Sequence, residues 1–486
     1  MVKSIDSLCG SSIVKDMKGI IKNAFYATSA NSLSMLASVL LSFVLPKFVS
    51  IVDYGYWQFF ILYSGYVGFL HLGFCDGLYL RYGGKKNDSI NFHELSIMFS
   101  YYLIFQILVS AIIILIAILS KLDFVYKIVL MSIGLYAFIA NTNSFFTSLL
   151  LSTNRILLYS RALGLSKILL IVYSCIIMFI PIENKFLYII GGYLFTSIIS
   201  VLLLLPNFKG VLFNFEGFSD DNRRSIKTMK SLVFVGFVLM LSNVLSHFIL
   251  GSGRMIVEYV WDVEAFAKLS FAVSISMFFL AFVSQLGMVL FPLLKNMNSE
   301  TVVRVLNNGD FLIGYIMMWG YFMIIPISFF IYMVLPAYVE SVNYILILLP
   351  TSLYIIKSQI LYTTYLKSIN MQNKLLLINM LSVLIAVSLY ILSALFRSLQ
   401  GMAIAMLVGS FMQYILQKSV TDILYITTNQ IHHWKNVLFE AFFSLFFIGI
   451  YMNTSLTLFI ILMSVTILIY TYYNRYIIYA SIKKAY

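Results

Sequence analysis

Lys357 stands out among the charged residues because it lies near the middle of a long apolar run at 342–365. A lysine at the centre of a membrane helix costs about 2.5–3.5 kcal/mol on insertion scales, so its side chain is expected to face protein or water. Tyr354, Ser358 and Gln359 lie beside it and can form hydrogen bonds. Such a lysine could bind an anionic substrate, pair with another helix, or extend its charge to the membrane surface.

A second lysine in an apolar run, Lys418, has an acid close by. Asp422 follows it by four residues, so both side chains would share one face of a helix. An ion pair between them is therefore favoured over a role in binding.

Polar residues recur at helical spacing in two other apolar runs. Asn31 and Ser34 belong to one such stripe, and Asn243 and Ser246 belong to the other. Residues three or four positions apart share a helix face. Each stripe could form hydrogen bonds with a substrate, or it could let two membrane helices pack closely, since packing uses the same residue types.

Further candidates lie at the ends of apolar runs or are titratable groups inside them. Four cations could line the mouth of a cavity or anchor helices at the membrane surface: Lys47, Arg81, Arg254 and Lys268. Acidic neighbours make a local ion pair a strong alternative for Arg254. Three residues could serve in ion coupling, although a hydrogen-bonded structural role is commoner: His71, Asp76 and His247.

The three cysteines, Cys9, Cys75 and Cys175, have no paired spacing and indicate neither a disulfide framework nor a zinc site. No catalytic residue, metal or cofactor is predicted. The sequence has no phosphate-binding glycine loop and no nucleotide-hydrolysis motif, which argues against ATP-driven transport.

These residues are positioned by apolar runs that fill the chain. Of its 486 residues, 61% are hydrophobic and 10% are charged, whereas a soluble domain would have about a quarter charged. Runs of about 20 residues can cross ~30 Å of hydrocarbon as helices, which satisfy their own backbone hydrogen bonds. The sequence therefore predicts an all-α polytopic membrane protein with about 14 spans. They lie at 24–46, 57–80, 96–119, 128–152, 162–181, 186–206, 231–250, 266–291, 312–335, 342–365, 374–395, 400–428, 437–452 and 455–474.

Basic residues are distributed unevenly between the two sides that these spans define. With both termini in the cytoplasm, about 23 Lys and Arg residues fall in inner segments and about 7 in outer ones, as the positive-inside rule requires. Lys167 is counted here with the inner segments. The net charge of +13 is spread over the loops, so it indicates topology and contact with anionic lipid headgroups, not a nucleic-acid partner.

A charged stretch at 207–230 divides the spans into two blocks. Similar residues at an offset of about 212–214 indicate a duplication, and parallel repeats are common in transporters. The predicted segments are a cytoplasmic amphipathic N-terminus at 1–22, a first lobe of six spans at 23–206, a cytoplasmic linker at 207–230, a second lobe of six spans at 231–428, and two last spans with a cytoplasmic tail at 429–486.

Several short motifs carry a resemblance to a known family. They are Leu45-Pro46-Lys47-Phe48, Asp53-Tyr54-Gly55-Tyr56-Trp57, His71-Leu72-Gly73-Phe74, Gly253-Arg254-Met255-Ile256 and Phe291-Pro292-Leu293-Leu294-Lys295. Together they resemble the bacterial polysaccharide-biosynthesis flippases, which include the O-antigen flippases and belong to the multidrug, oligosaccharidyl-lipid and polysaccharide exporter superfamily. The stretch Glu264-Ala265-Phe266-Ala267-Lys268-Leu269-Ser270 also resembles the family, but Ala267 departs from the pattern, because the family often has glycine there.

The resemblance implies two six-helix lobes around a central cavity, with the last two spans outside this core. It also implies an undecaprenyl-diphosphate-linked oligosaccharide as substrate, moved to the outer leaflet of the inner membrane by alternating access and ion coupling for O-antigen, lipopolysaccharide or capsule synthesis. Lys357 would then be a cation for the diphosphate. Implied partners are this lipid-linked substrate, the bilayer, a polysaccharide polymerase and the chain-length machinery.

Two other functions remain open at this point. A drug or cation exporter of the same superfamily would need acidic cavity residues, and Asp76 is the acidic residue well inside an early span. A membrane polysaccharide polymerase or glycosyltransferase would be expected to carry a long outer loop with catalytic residues. The longest outer loop predicted here, at 251–265, has about fifteen residues.

Overall fold

A computed structural model of the protein describes most of the chain. Three predicted features lie outside the described residues: the amphipathic helix at 1–22, most of the linker before 220, and the tail after 475. The described residues are 26, 29–83, 90–208, 211, 220–278, 280, 290, 294, 297–424 and 430–475.

The chain forms two compact units, Met1–Val244 and Leu245–Tyr486. Their boundary lies within helix α8, Asp220–Val260, and differs from the boundary predicted at 207–230. From Asp220 onward the predicted linker is helical and continues into the next apolar run. The reason is that neither proline nor glycine occurs between 220 and 235 to end the helix.

The first unit consists of α-helices joined by short connections. A 3₁₀ helix at Val67–His71 separates the second and third of them, and α1 ends in a π turn and a 3₁₀ turn. Besides the first part of α8, its described helices are α1 Ser29–Lys47, α2 Ile51–Ser64, α3 Phe74–Tyr82, α4 Phe92–Leu119, α5 Phe124–Ser152, α6 Ile156–Phe179 and α7 Lys185–Leu204.

The second unit is also helical. Its described helices after α8 are α9 Val263–Ser276, α10 Ser299–Gly320, α11 Ile324–Val334, α12 Ser341–Ser368, α13 Gln372–Leu395, α14 Leu399–Leu424, α15 Gln430–Asn453 and α16 Leu456–Tyr473. Within α12, the segment Lys357–Thr363 is a π-helix.

The prediction of an all-α polytopic membrane protein is confirmed. In the described part of the chain, 12 helices are long and apolar enough to cross a membrane, and the bent pair α2–α3 can supply another. Of the span predicted at 266–291, the structure describes only the portion around α9. Many large apolar side chains remain exposed on these helices, as expected where lipid covers the surface.

Side-chain caps determine where several helices begin. Ser50, Asn91, Asp262 and Asn298 each accept a hydrogen bond from a backbone N–H in the first turn of the following helix. Such caps satisfy donors that have no partner within the helix. The apolar runs therefore start at defined residues.

Close backbone contact joins α3 to α8 in the first unit. Leu72 and Gly73 adopt left-handed backbone angles, with φ of 52° and 80°, and the chain bends by 59° there. A Cβ atom at Gly73 would lie 2.5 Å from the backbone carbon of Gly236, and one at Gly77 would overlap the Leu232 carbonyl. Small residues four positions apart allow this kind of approach between membrane helices.

The core around this contact is largely aromatic. Rings of α3, α4 and α5 pack together, with centroids 5.1 Å apart for Phe74 and Tyr102 and 4.6 Å for Phe99 and Phe145. Tyr102 donates a hydrogen bond to the backbone carbonyl of Asn141 at 2.9 Å. Apolar packing thus positions most of the first unit.

Candidate functional site

Helix α12 is enclosed by protein along its length. In its central apolar stretch 94% of the residues are buried, compared with 22–50% in the other candidate spans. Polar side chains on such a helix must find partners in protein, because lipid offers none. Three consecutive polar residues, Lys357, Ser358 and Gln359, stand at the start of its π-helical segment. Such π turns occur frequently at functional sites.

Lys357 contacts two carboxylates from two other helices. Its Nζ donates to Glu440 Oε1 at 2.7 Å and Oε2 at 2.6 Å, and it lies 3.4 Å from Asp310 Oδ1. The lysine side chain is completely buried, and both acids are nearly so. This contact joins α12 to α10 and α15.

Lys418 on α14 completes a group of four buried charges. Its Nζ lies 3.5 Å from Asp310 Oδ2 and donates to the Tyr362 hydroxyl at 3.1 Å. Tyr414 donates to both oxygens of Asp310, at 3.0 and 3.1 Å. We call Asp310, Lys357, Lys418 and Glu440 the charge quartet. Two positive and two negative charges balance, which offsets the free energy of removing each from water.

A second polar group surrounds the other side of the π-helical segment. Ser358 donates to Gln417 at 2.8 Å, and Gln359 donates to Ser246. Gln413 donates to Ser246 at 2.9 Å and to Asn379 at 3.0 Å. We call the group the amide network; its members are Ser246, Ser358, Gln359, Thr363, Asn379, Gln413 and Gln417.

Consecutive residues of α12 therefore bind different helices. Side chains advance by about 100° per residue around a helix, so Lys357, Ser358 and Gln359 reach α15, α14 and α8 in turn. The π-helical segment is the polar centre of the second unit.

Helix α15 is part of this centre. The resemblance implied that the last two spans lie outside the core, yet Glu440 of α15 holds Lys357. One turn later, Ser444 hydrogen-bonds with the hydroxyls of Tyr321 and Tyr354, at 3.1 and 3.2 Å. Helix α15 is therefore bound to the buried interior of the second unit.

The structure pairs Lys357 with other helices, which is one of its three predicted alternatives, and it gives Lys418 partners other than the favoured Asp422. The ammonium of Lys357 is already neutralised by Glu440 and Asp310, which is the helix-partner alternative and leaves no free charge for a substrate phosphate. Lys418 contacts Asp310 and Tyr362, whereas an ion pair with Asp422 was favoured.

The predicted cations of the second unit have local partners. Arg254 donates from Nε to Ser270 Oγ at 3.0 Å, and its guanidinium lies 5.6 Å from the centre of the Phe266 ring. Lys268 is 2.9 Å from both Glu264 and Glu340. Both residues fasten α9 to its neighbours.

Most predicted residues of the first unit lie on α1, in the 3₁₀ helix Val67–His71 and on α3. Lys47 is exposed at the end of α1, and Ser34 donates to the Ala30 carbonyl of its own helix at 3.2 Å. Arg81 lies 3.5 Å from Glu94, and His71 lies 3.9 Å from Asp76. The structure thus brings the predicted ion-coupling residues 71 and 76 together.

Three further predicted residues lie on α1 and α8. Asn31 is half-buried on α1, and Asn243 is half-buried on α8. His247 is exposed on α8, although its neighbour Ser246 belongs to the amide network.

Two functional candidates, Asp310 and Glu440, were missed by the sequence analysis. Glu440 is an acid inside the predicted span 437–452, which is the same signal that singled out Lys357. Asp310 lies two residues before the predicted span 312–335 and was assigned to a loop. Pairing lone acids with lone lysines across different spans would have found Glu440.

Comparison with known proteins gives a clear result for the fold. No protein-family model and no curated protein sequence matches the chain. Among solved structures, the lipid II flippase MurJ in an inward closed conformation matches with a TM-score of 0.68 and 16% identity, covering 94% of this chain and 100% of that one. The chain has the fold of the MurJ and MATE transporters. A MATE structure in complex with MaL6 matches at a TM-score of 0.58 with 13% identity, covering 84% and 97% of the two chains.

A transporter of the MOP superfamily from Pyrococcus furiosus shares the fold as well, at a TM-score of 0.50 and 13% identity over 84% of this chain and 95% of that one. The MurJ match leaves 6% of the 486 residues of this chain, about 29, unmatched. Helices α15 and α16 have 24 and 18 residues, 42 together, so the unmatched residues cannot include both helices completely. The shared fold therefore extends into the last pair of helices.

Proposed function

We propose that the protein is a flippase for an undecaprenyl-diphosphate-linked oligosaccharide. In this proposal it moves the repeat unit from the cytoplasmic to the outer leaflet of a bacterial inner membrane, by alternating access, for O-antigen or capsular polysaccharide synthesis. The observation that carries the proposal is the likeness to a lipid II flippase along nearly the whole of both chains, including part of the last helix pair. The MATE match covers less of this chain.

The chemistry of such a substrate determines what its flippase must provide. A diphosphate and its sugars cannot enter hydrocarbon without losing their hydrogen bonds to water. A flippase must therefore offer polar groups within its spans while its exterior stays apolar. The exposed apolar side chains of the described helices are consistent with the second requirement.

Short connections favour transport over a membrane polymerase or glycosyltransferase. The outer loop predicted at 251–265 is reduced to two residues, Trp261 and Asp262, because α8 continues to Val260 and α9 begins at Val263. The other predicted outer connections in the described part are also short, such as 120–123 and 454–455. None of these could hold a catalytic domain.

Ion coupling is the second element of the proposal. His71 and Asp76 lie 3.9 Å apart at the bend between α2 and α3. A proton or cation bound by one of them would alter the affinity of the other, because neighbouring charges shift each other's protonation. Coupling at a bend would link ion binding to the angle between two helices.

Depletion of the protein in its native cell, followed by mass spectrometry of prenyl-diphosphate-linked oligosaccharides, tests the function. A flippase should cause complete repeat units to accumulate on the cytoplasmic side while surface polymer is lost, and a plasmid-borne copy should reverse both changes. Single units on the outer side would instead indicate a polymerase. Unchanged intermediates with increased drug sensitivity would indicate an exporter.

A further inference from the structure

Lys167 is a cation inside a membrane-spanning helix. It belongs to the apolar run predicted at 162–181, although the charge tally includes it with the inner segments, and it lies roughly midway along the 24-residue helix α6, Ile156–Phe179. At 1.5 Å per residue, it is about 16–18 Å from either end of the helix. A lysine at this depth cannot carry its charge to the membrane surface, so it must face protein or water.

The lipid-facing side of α6 is opposite to Lys167. Large exposed apolar side chains mark that side: Leu165, Ile168, Val172 and Ile176. Their spacing of three or four residues places them on one face of the helix, and Lys167 projects from the other. Gly164, one turn before Lys167, lies next to Leu33 of α1. The lysine therefore faces the interior of the first unit.

Two buried serines continue the face on which Lys167 lies. Ser160 and Ser174 are seven residues before and after it, which is about two helical turns. Both are buried, and neither Oγ atom has a hydrogen-bond partner among the described residues. Buried hydroxyls usually have a partner, so this face carries hydroxyl donors that the described residues leave unused. We call these three residues the α6 stripe.

The charge of Lys167 is not matched by an acid. In the part of the chain that the structure describes, its recorded contact is the ring of Tyr193, 5.1 Å from Nζ, whereas Lys357 and Lys418 each contact a carboxylate. The Tyr193 hydroxyl lies 3.4 Å from that of Tyr136 on α5. An aromatic face stabilises a cation but leaves its positive charge available.

We propose that the α6 stripe binds the phosphate groups of a lipid-linked substrate. This inference rests on the proposed function and names the residues that recognise the anionic head. Lys167 supplies a positive charge at mid-helix. The two serines lie about 10 Å from it on either side along the helix axis, so their hydroxyls donate hydrogen bonds to phosphate oxygens before and after the anion passes Lys167. The mid-membrane position means that the anion meets Lys167 during translocation, when its own hydration is lost.

The test is a binding measurement on the purified full-length protein in nanodiscs. The probes are farnesyl diphosphate, farnesol and inorganic pyrophosphate, and the readout is the ratio of affinities for farnesyl diphosphate and farnesol. We expect the wild type to prefer the diphosphate, and Lys167→Met to lower the ratio by about 10-fold or more, because a charge-assisted contact is lost. A general folding defect would weaken both probes and leave the ratio unchanged.

Two variants serve as controls for the loss of the Lys167 charge. Lys167→Arg should keep the preference, and Lys121→Met, the same change in the exposed connection between α4 and α5, should behave as the wild type. An unchanged ratio in Lys167→Met overturns this inference alone. A wild type that does not distinguish farnesyl diphosphate from farnesol contradicts both this inference and the proposed function. Pyrophosphate binding as tightly as farnesyl diphosphate would show that the ligand is soluble phosphate and overturn the lipid assignment.

Discussion

The helices of the two units are held together by different kinds of buried contact. The described core of the first unit is built from packed rings, close backbone contact at glycines and single amide hydrogen bonds such as that from Asn141 to Gln106 at 2.7 Å. In the second unit, the enclosed helix α12 and its neighbours together contribute four buried charges and seven hydrogen-bonded polar side chains. In each unit these contacts lie between apolar membrane-spanning helices.

The difference shows which contacts specify one arrangement of helices. Apolar packing in a membrane is weakly directional, because lipid tails are as apolar as leucine side chains. A buried ion pair is stable only when each charge meets its partner, so it strongly disfavours other registers of the helices. The first unit obtains similar specificity from steric fit, since a glycine contact admits no added atom.

The largest effect should follow from breaking the charge quartet. Glu440→Leu leaves Lys357 with Asp310, which it shares with Lys418, and so leaves one excess buried positive charge. We expect a loss of about 3–5 kcal/mol in stability, measured by thermal unfolding in detergent. Less protein should then accumulate in the membrane, and surface polymer should fall with it.

A double variant sharpens this prediction. Lys357→Met combined with Glu440→Leu removes one charge of each sign and leaves the contact between Asp310 and Lys418. The double variant should be more stable than Glu440→Leu alone. Equal loss in both proteins would show that packing at Glu440, and not its charge, matters.

The next largest effect should come from the glycine contact of the first unit. Gly236→Ala places a methyl group against the backbone of Gly73, and overpacking of this kind costs about 1–3 kcal/mol. Gly191→Ala is the matched control, because its added methyl group would meet no atom within 4 Å. We expect a lower melting temperature for the first variant and no decrease for the second.

Breaking the amide network of the second unit should have an intermediate effect, larger than breaking the hydrogen bond between Asn141 and Gln106 in the first unit. Gln417→Leu removes hydrogen bonds to Ser358, Thr363 and Asn379, and leaving such buried groups unsatisfied costs about 1–3 kcal/mol. Asn141→Leu leaves Gln106 with one partner fewer and should be less damaging. The order of the two melting temperatures is the measurement, and a reversed order would contradict the central position given to α12.

The smallest effect is expected at the ion pair of Arg81 and Glu94. Arg81 is about one-third exposed, and the closest charged atoms are 3.5 Å apart. Exposed pairs of this kind contribute at most about 1 kcal/mol. Arg81→Gln should therefore shift the melting temperature little, and the residual shift should shrink as salt is added.

The sequence by itself determined the class of fold and the approximate positions of the spans. Runs of apolar residues and short polar connections are local properties, and a bilayer converts them into helices because the backbone must bond to itself. The lone lysine in the run at 342–365 also identified the buried centre of the second unit.

Only the tertiary structure decided what the polar residues contact. Lys357, Asp310 and Glu440 are far apart in the chain, and nothing in their local sequence specifies that α10, α12 and α15 meet. Likewise, the predicted span 162–181 already contains Lys167, but only the packing of α6 shows that it lies next to Tyr193. Whether a buried charge is neutralised or remains available depends on helix packing, which brings together residues from distant parts of the chain.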